Sequence, residues 1–315
     1  MTPISEVKKI ISQFYGIHVT VDSLPGDEDE NFRLIDKLKN PYVFKISEEN
    51  SDLAPLNYQT EILTFLEKRN IALELPKPIP TTKGDFIGTF TSGKATRYFR
   101  LMSWVNGRIW AGIQPKTSIL RKILGEKAGL LTSNLQNFSH PLMHREFDWN
   151  LTQSLWTKNH LGLFTEEEKE LIITFQQRFS NLQNIYQNLP KSVVHNDLND
   201  YNILVSKDLI NPEVTGFIDF GDAVFTQTIN DVAIVIAYAV MEVANPLEAA
   251  LDILKGYTAH YRSTPEELQC LYILVAMRWI TTVTKAAIRK KDKSNNPYHS
   301  ISEQNAWDAL KKWAT

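Results

Sequence analysis

The chain has 315 residues, more than one small compact core needs and enough for two domains or a two-lobed unit. Its 34 basic and 36 acidic residues leave a net charge of −2, which argues against a global field for holding nucleic acid or an anionic membrane. The single cysteine, Cys270, cannot pair within the chain, and no Cys/His spacing suggests zinc; with no signal-peptide pattern at residues 1–6, a cytoplasmic protein is expected.

In chain order, residues 2–15 read as a short helix. Residues 19–24 and 32–37 read as strands joined by a turn at 25–31 that carries one glycine and four acidic residues. Tyr42-Val43-Phe44-Lys45-Ile46 is a third strand, rich in β-branched and aromatic residues. Residues 56–69 form an amphipathic helix with Ile62, Leu63, Phe65 and Leu66 on one side. Residues 86–91 and 96–105 read as a hairpin around Ser92-Gly93-Lys94.

After Gly107 the pattern becomes helical. One helix spans 118–135, and another starts at a capping box, Thr165 with Glu168, and runs toward Pro190. A β-rich insert covers 193–205 and 214–219. Helices follow at 229–243, 247–261, 266–290 (Pro265 in the first turn) and 302–313. The longest apolar run, 232–241, is about half of a membrane span and predicts a buried core helix. Arg289, Lys290, Lys291 and Lys293 read as a solvated helix end. His140 and His144 are four apart, but Pro141 argues against one helix carrying both as metal ligands. The expected architecture is α+β: a small β-rich lobe over 1–105, a linker near 104–107 and a larger, mainly helical lobe over 106–315.

The chemistry concentrates in His195-Asn196-Asp197-Leu198-Asn199-Asp200-Tyr201-Asn202, which fits the pattern H-x-D-x-x-x-x-N. Asp219-Phe220-Gly221 follows behind the apolar pair Phe217-Ile218. Phosphoryl transfer asks a protein mainly for positioning and charge neutralisation. Asp197 is placed to orient or accept a hydroxyl proton, so it is the candidate catalytic residue. Mg²⁺ takes hard oxygen ligands, which Asn202 and Asp219 supply. Lys45 ends a Val-Ala-Ile-Lys-like strand and is the candidate cation for the nucleotide phosphates, with Glu61 on the following helix as its counter-charge. No glycine-rich G-x-G-x-x-G loop lies between the first strands.

These motifs resemble the aminoglycoside phosphotransferase and choline kinase-like family, whose loop usually reads H-G-D-x-H-x-x-N; here Asn196 replaces the glycine and Asn199 the second histidine. Phe147-Asp148-Trp149, Ile218 to Asp222 and the segment 298–307 are most similar to the hydroxylysine kinase branch. The resemblance implies a bilobal, protein-kinase-like fold, Mg²⁺ and ATP or GTP as donor. It also implies a purine held by backbone groups of Met102, Ser103 and Trp104, and a small hydroxylated amine or amino acid as acceptor. A protein acceptor is disfavoured: Asn196 stands where protein kinases carry arginine, and only about eight residues separate Gly221 from the next helix, too few for an activation loop. For the acceptor, Asp148 and Asp222 are candidates for an ammonium group and Arg278 for a carboxylate, through its bidentate fork. The expected partners are that small molecule alone, with no nucleic acid and no membrane, in a monomer or homodimer. The acidic turn keeps open a catalytically idle nucleotide-binding module, and the paired aspartates a metal-dependent phosphohydrolase.

Overall fold

The computed structural model describes residues 1–26, 29–92, 95–291 and 297–315; the side chains of 92 and 297–302 lie outside the description. Asp27, Glu28, Gly93, Lys94 and Lys293, together with the side chains of 298–302, are thus sequence features outside the described residues. The chain divides into two compact units, Met1–Asn106 and Gly107–Thr315.

Among the described residues the first unit is an antiparallel sheet with two helices. Strands β1 (Val19–Leu24), β2 (Glu30–Asp36) and β3 (Pro41–Ile46) follow one another as a meander. After helix α2 (Leu53–Lys68), the chain adds β4 (Pro78–Ile79), β5 (Gly88–Ser92) and the long β6 (Ala95–Ser103), giving the order β1-β2-β3-β6-β4 with β5 also on β6. Helix α1 (Ile4–Tyr15) presents Val7, Ile10 and Ile11 to the sheet, where they bury with Phe32, Leu34, Phe44, Ile46, Phe99 and Leu101. Each such side chain contributes roughly 1.5–3 kcal/mol of transfer free energy. The α1 helix ends on Gly16, whose φ of +67° closes the last turn with its N–H on the Ser12 carbonyl.

The second unit is built round two buried helices. Every residue of α5 (Ile229–Ala239) is buried, as its nearly continuous apolar sequence predicts. It packs on α7 (Pro265–Lys291), which α4 (Glu166–Tyr186) and α8 (Pro297–Ala314) also cover. Helix α7 is long and apolar enough to cross a membrane by composition, with 78% of that apolar window buried inside the protein. Helices α3 (Ser118–Leu135) and α6 (Pro246–Tyr257) approach so closely that backbones touch. A Cβ added to Gly256 would meet the Lys122 carbonyl, and one on Gly125 the Ile253 carbonyl.

Two small antiparallel ladders carry the loops of interest: β7 (Arg108–Ile109), β9 (Ile203–Val205) and β10 (Val214–Phe217) in one, β8 (Lys191–Val194) and β11 (Val224–Gln227) in the other. The single β stretch expected over 193–205 is therefore two strands with different partners, split by the loop 195–202. The two-residue strands β4 and β7 are too short to leave a period in sequence. A run of 3-10 turns at Leu151–Leu163 and the earlier start of the last helix also differ from expectation. His140 caps the short 3-10 turn Pro141–Met143, its Nδ1 accepting from the Leu142 N–H at 3.0 Å, so Pro141 does break any helix there.

Candidate active site

Strand β8 delivers the loop and α5 holds its backbone. His195 and Asn196 follow Val194 and are fully buried. Asn196 has φ +65°, the left-handed region that glycine enters freely and asparagine tolerates. This accounts for the residue exchange at this position: the backbone shape is kept with an asparagine. The Asp231 carboxylate from α5 accepts the Asn196 N–H at 3.4 Å and the Thr132 hydroxyl at 2.7 Å. Burial pushes the Asp231 carboxyl up to about 6, against the hydrogen bonds from Thr132 and from the backbones of Asn196 and His195. Sequence reading missed Asp231; the available signal was a lone acid in the first turn of an otherwise apolar, fully buried helix.

His195 ties the loop to the strand that carries Asp219. Its Nδ1 accepts the Asp197 N–H at 3.2 Å, so the proton sits on Nε2, which donates to the Ile218 carbonyl at 3.1 Å. Its ring packs on Phe220, centroids 4.5 Å apart. Burial pulls its pKa down to about 4, so it is neutral and structural at neutral pH rather than a proton carrier.

Asn199 shapes the middle of the loop. Its side-chain oxygen accepts the N–H groups of Tyr201 (2.8 Å) and Asn202 (3.2 Å), and its Nδ2 donates to Asp197 Oδ2 at 3.0 Å. Asn202 Nδ2 donates to the Asp197 carbonyl (2.8 Å) and to Asp197 Oδ2 (2.9 Å). With the nitrogen end spent on Asp197, the end of the Asn202 amide left for a ligand is its carbonyl oxygen, a hard donor. The Ile218 N–H donates to the Asn202 carbonyl at 3.0 Å, and the register pairs Phe217 with Ile203. Asn202 and Asp219 therefore leave the same end of the β9–β10 ladder. Asp219 has φ +65°, and one of its carboxylate oxygens accepts the Gly221 N–H at 3.2 Å.

The donor set suits Mg²⁺: an amide oxygen and a carboxylate at one ladder end are hard oxygen donors of the kind it takes. Among the described residues no group of three His, Cys, Asp or Glu is placed to hold a metal ion by itself.

Asp197 is raised above the ordinary carboxylate range by desolvation, with Asp222 and Asp219 adding repulsion and Arg278 opposing. The Arg278 guanidinium donates to Asp197 Oδ1 at 3.0 Å and to the Trp149 carbonyl at 3.1 Å. Asp222 lies 3.7 Å from Arg145, which also donates to the Gly221 carbonyl and lies over the Phe147 ring. Asp148 is half exposed and pairs with Lys285, which also lies over the Trp156 ring. Asp197, Asn202, Asp219, Asp222 and Arg278 are thus brought together, while among the described residues Asp148 adjoins the group through its neighbour Trp149. On the opposite flank of the loop, burial pushes Asp200 up to about 6, partly offset by Lys116.

In the first unit Lys45 lies on β3, opposite Asn31 on one side and Arg100 on the other, and Glu61 lies on α2. Arg100 is neutralised by Asp29 at 2.7 Å and bonded to Gln59 of α2 at 2.7 Å. Glu30 pairs with Arg97 at 3.0 Å. Two of the four acids of the 25–31 turn are therefore turned into the sheet as ion pairs. Of the linker residues, Met102 is paired within the sheet opposite Val43 and Pro78. Ser103 spends its N–H on the Lys77 carbonyl and its hydroxyl oxygen on the Lys77 N–H, each at 2.9 Å. Trp104 follows, with Arg33 over its ring at 4.9 Å.

A family model described as the phosphotransferase enzyme family (APH) matches residues 20–267. The chain belongs to this family. It is a kinase that transfers a phosphoryl group to a hydroxyl of a small molecule. Hydroxylysine kinase of Mus musculus is 28% identical over an alignment of 335 positions covering 98% of this chain and 88% of that protein. Among solved structures, a microcompartment-associated aminopropanol kinase superposes with a TM-score of 0.73 at 16% identity, covering 99% and 94% of the two chains. An amicoumacin kinase bound to AMP-PNP and Ca²⁺ gives 0.71 at 14% identity, covering 98% and 93%. The fold is the mixed α/β, kinase-like one of these phosphotransferases, and membership sets aside the idle module and the phosphohydrolase.

Proposed function

We propose that this kinase moves the γ-phosphoryl of ATP or GTP onto the hydroxyl of a small amine or amino acid of the hydroxylysine type. The observation that carries this reading is the loop itself. Asp197 keeps a carboxylate oxygen open to a hydroxyl, while Asn202 and Asp219 offer two hard oxygens at one end of the β9–β10 ladder. The likeness to hydroxylysine kinases over nearly the whole chain supports an acceptor carrying an amine and a carboxylate.

In this reading Asp197 orients the acceptor hydroxyl and takes its proton. Asn202 and Asp219 would hold Mg²⁺, which would supply charge neutralisation to the donor phosphates. Lys45, with Glu61 as its counter-charge, binds those phosphates, and the purine lies against the linker. Ser103 has its N–H on the Lys77 carbonyl, which leaves Met102 and Trp104 to supply backbone groups to the purine. Asp222 receives an acceptor ammonium, and Asp148, paired with Lys285, is the outlying acid of that group. Residues 1–105 then serve as the nucleotide lobe and 106–315 as the catalytic lobe. A cytoplasmic monomer or homodimer fits the lone, buried Cys270.

The test is a coupled nucleotide-consumption screen over hydroxylated amino acids, amino alcohols and aminoglycosides, each with ATP and GTP. Hydroxylysine-type acceptors are expected to give turnover. Asp197→Asn is expected to remove transfer while leaving nucleotide affinity within a few-fold, and Asp219→Asn to weaken Mg-nucleotide binding as well. Full transfer by Asp197→Asn overturns the mechanism.

A further inference from the structure

Asp197 is gripped from two directions. Asn199 Nδ2 and Asn202 Nδ2 both donate to Oδ2, at 3.0 and 2.9 Å. Arg278 donates to Oδ1 at 3.0 Å from 81 residues further along the chain. A carboxylate oxygen accepts about two hydrogen bonds, so Oδ2 is filled and Oδ1 keeps one open position. The loop 195–202 contains no lysine or arginine, so the cation at this carboxylate comes from α7.

Arg278 is itself immobilised. Its second terminal nitrogen is on the Trp149 carbonyl, and its guanidinium lies over the rings of Trp149 and Tyr238 at 4.7 and 5.3 Å. Its side chain is 1% exposed against 24% for Asp197, so Asp197 is the member of the pair that solvent reaches. A group sealed in this way is poorly placed to meet a substrate carboxylate and well placed to orient Asp197. A guanidinium is a planar fork with preset donor directions, whereas two side-chain amides on one oxygen leave the carboxylate free to swing about it.

We propose that Arg278 is a positioning residue. It holds the Asp197 carboxylate so that the open position on Oδ1 takes the acceptor hydroxyl, and it does not bind the acceptor. In the step, the hydroxyl oxygen bonds to the γ-phosphorus and the bond from that phosphorus to the bridging oxygen breaks. The electron pair leaves on the nucleoside diphosphate, and the hydroxyl proton passes to Asp197 Oδ1. The inference rests on Asp197 being the carboxylate of this step.

The test uses Arg278→Gln, Arg278→Lys, Asn199→Ala and the double variant Arg278→Gln/Asn199→Ala in the full chain. Acceptor and nucleotide kinetics are measured beside direct nucleotide binding. Misplacing a reacting group by about 1 Å costs on the order of 100-fold, so Arg278→Gln is expected to lower kcat by about that factor with both KM values within about threefold. Arg278→Lys, which keeps a donor and a charge, is expected to recover about tenfold of the loss. Because Arg278 and Asn199 grip one carboxylate, their effects should be non-additive, the double variant falling no more than about threefold below the worse single one. A raised acceptor KM with kcat kept in Arg278→Gln overturns the proposal, since that marks a substrate ligand; so do strictly multiplicative effects. If Arg278→Gln loses nucleotide binding through misfolding, Arg278→Lys decides: an unchanged kcat overturns the proposal. Loss of activity in Asp197→Asn with full kcat in both Arg278 variants refutes only this inference, whereas activity in Asp197→Asn refutes the underlying reading of the site.

Discussion

Replacing Asn196 by glycine should leave the protein as stable as the parent or more so, although the position is fully buried. Asn196 has φ +65°, and neither its side-chain oxygen nor its nitrogen has a hydrogen-bond partner among the described residues. Each buried polar atom left unpaired costs about 1–3 kcal/mol, so removing both gains roughly 2 kcal/mol at the low end. Glycine also relieves the left-handed strain, which for an L-residue is about 1–2 kcal/mol and less for asparagine. Against this, glycine gives up about 0.5–1 kcal/mol of unfolded-chain entropy. The vacated side-chain volume, of order 50 Å³, costs about 1 kcal/mol at roughly 24 cal/mol per Å³. The balance is a stabilisation of about 0.5–2 kcal/mol, a rise of roughly 1–4 °C in Tm at this size. Asn196→Ala removes the same amide but leaves a Cβ at positive φ, so it should fall about 1 kcal/mol below the glycine variant. Denaturant melts of the three proteins measure both differences. A glycine variant more than about 1 kcal/mol below the parent, or an alanine variant as stable as the glycine variant, would refute the reasoning, because the first means that the amide is satisfied and the second that the backbone is unstrained.

Two further perturbations follow from the packing. Asp231 titrates near 6 in the folded protein and near 3.8 when unfolded, so the folded state holds the proton more tightly, and its contribution to stability is lost as pH rises from about 3.8 to 6 and is flat above. The unfolding free energy of the parent minus that of Asp231→Asn should therefore grow by about 2–3 kcal/mol on going from pH 6 to pH 4; a difference independent of pH would contradict the burial argument. Gly256→Ala puts a methyl against the backbone carbonyl of Lys122, where no flexible side chain can yield, and should cost about 1–3 kcal/mol in a thermal melt, while alanine at exposed Gly162, which meets nothing within 4 Å, should not.

Much of the candidate site was legible because its residues are compressed into short segments. Asp197 and Asn202 belong to one loop, and Asp219 follows a short apolar strand, so their types and spacing carry the signal before any folding is known. The long helices were legible for a similar reason: an apolar run is a property of neighbours in sequence, as in α5 and α7. The acidic turn at 25–31 was harder to read. Its charge looked unsuited to phosphates because the partners of Asp29 and Glu30, Arg100 and Arg97, lie on a strand some 70 residues away.

By itself, then, the sequence determined the order and type of the candidate reacting groups, the β-rich first unit and the helical second one. Only the tertiary structure decided which groups hold them. Asp231 anchors the loop across 35 residues, and Arg278 reaches Asp197 across 81. Such pairings are made when helices pack, and a side chain's partner then depends on which helix faces it, which no local pattern encodes. Asn199 shows the same division within six residues. Its identity was plain as a departure from the usual histidine, but its grip on Asp197 Oδ2 exists only once the loop has closed on itself.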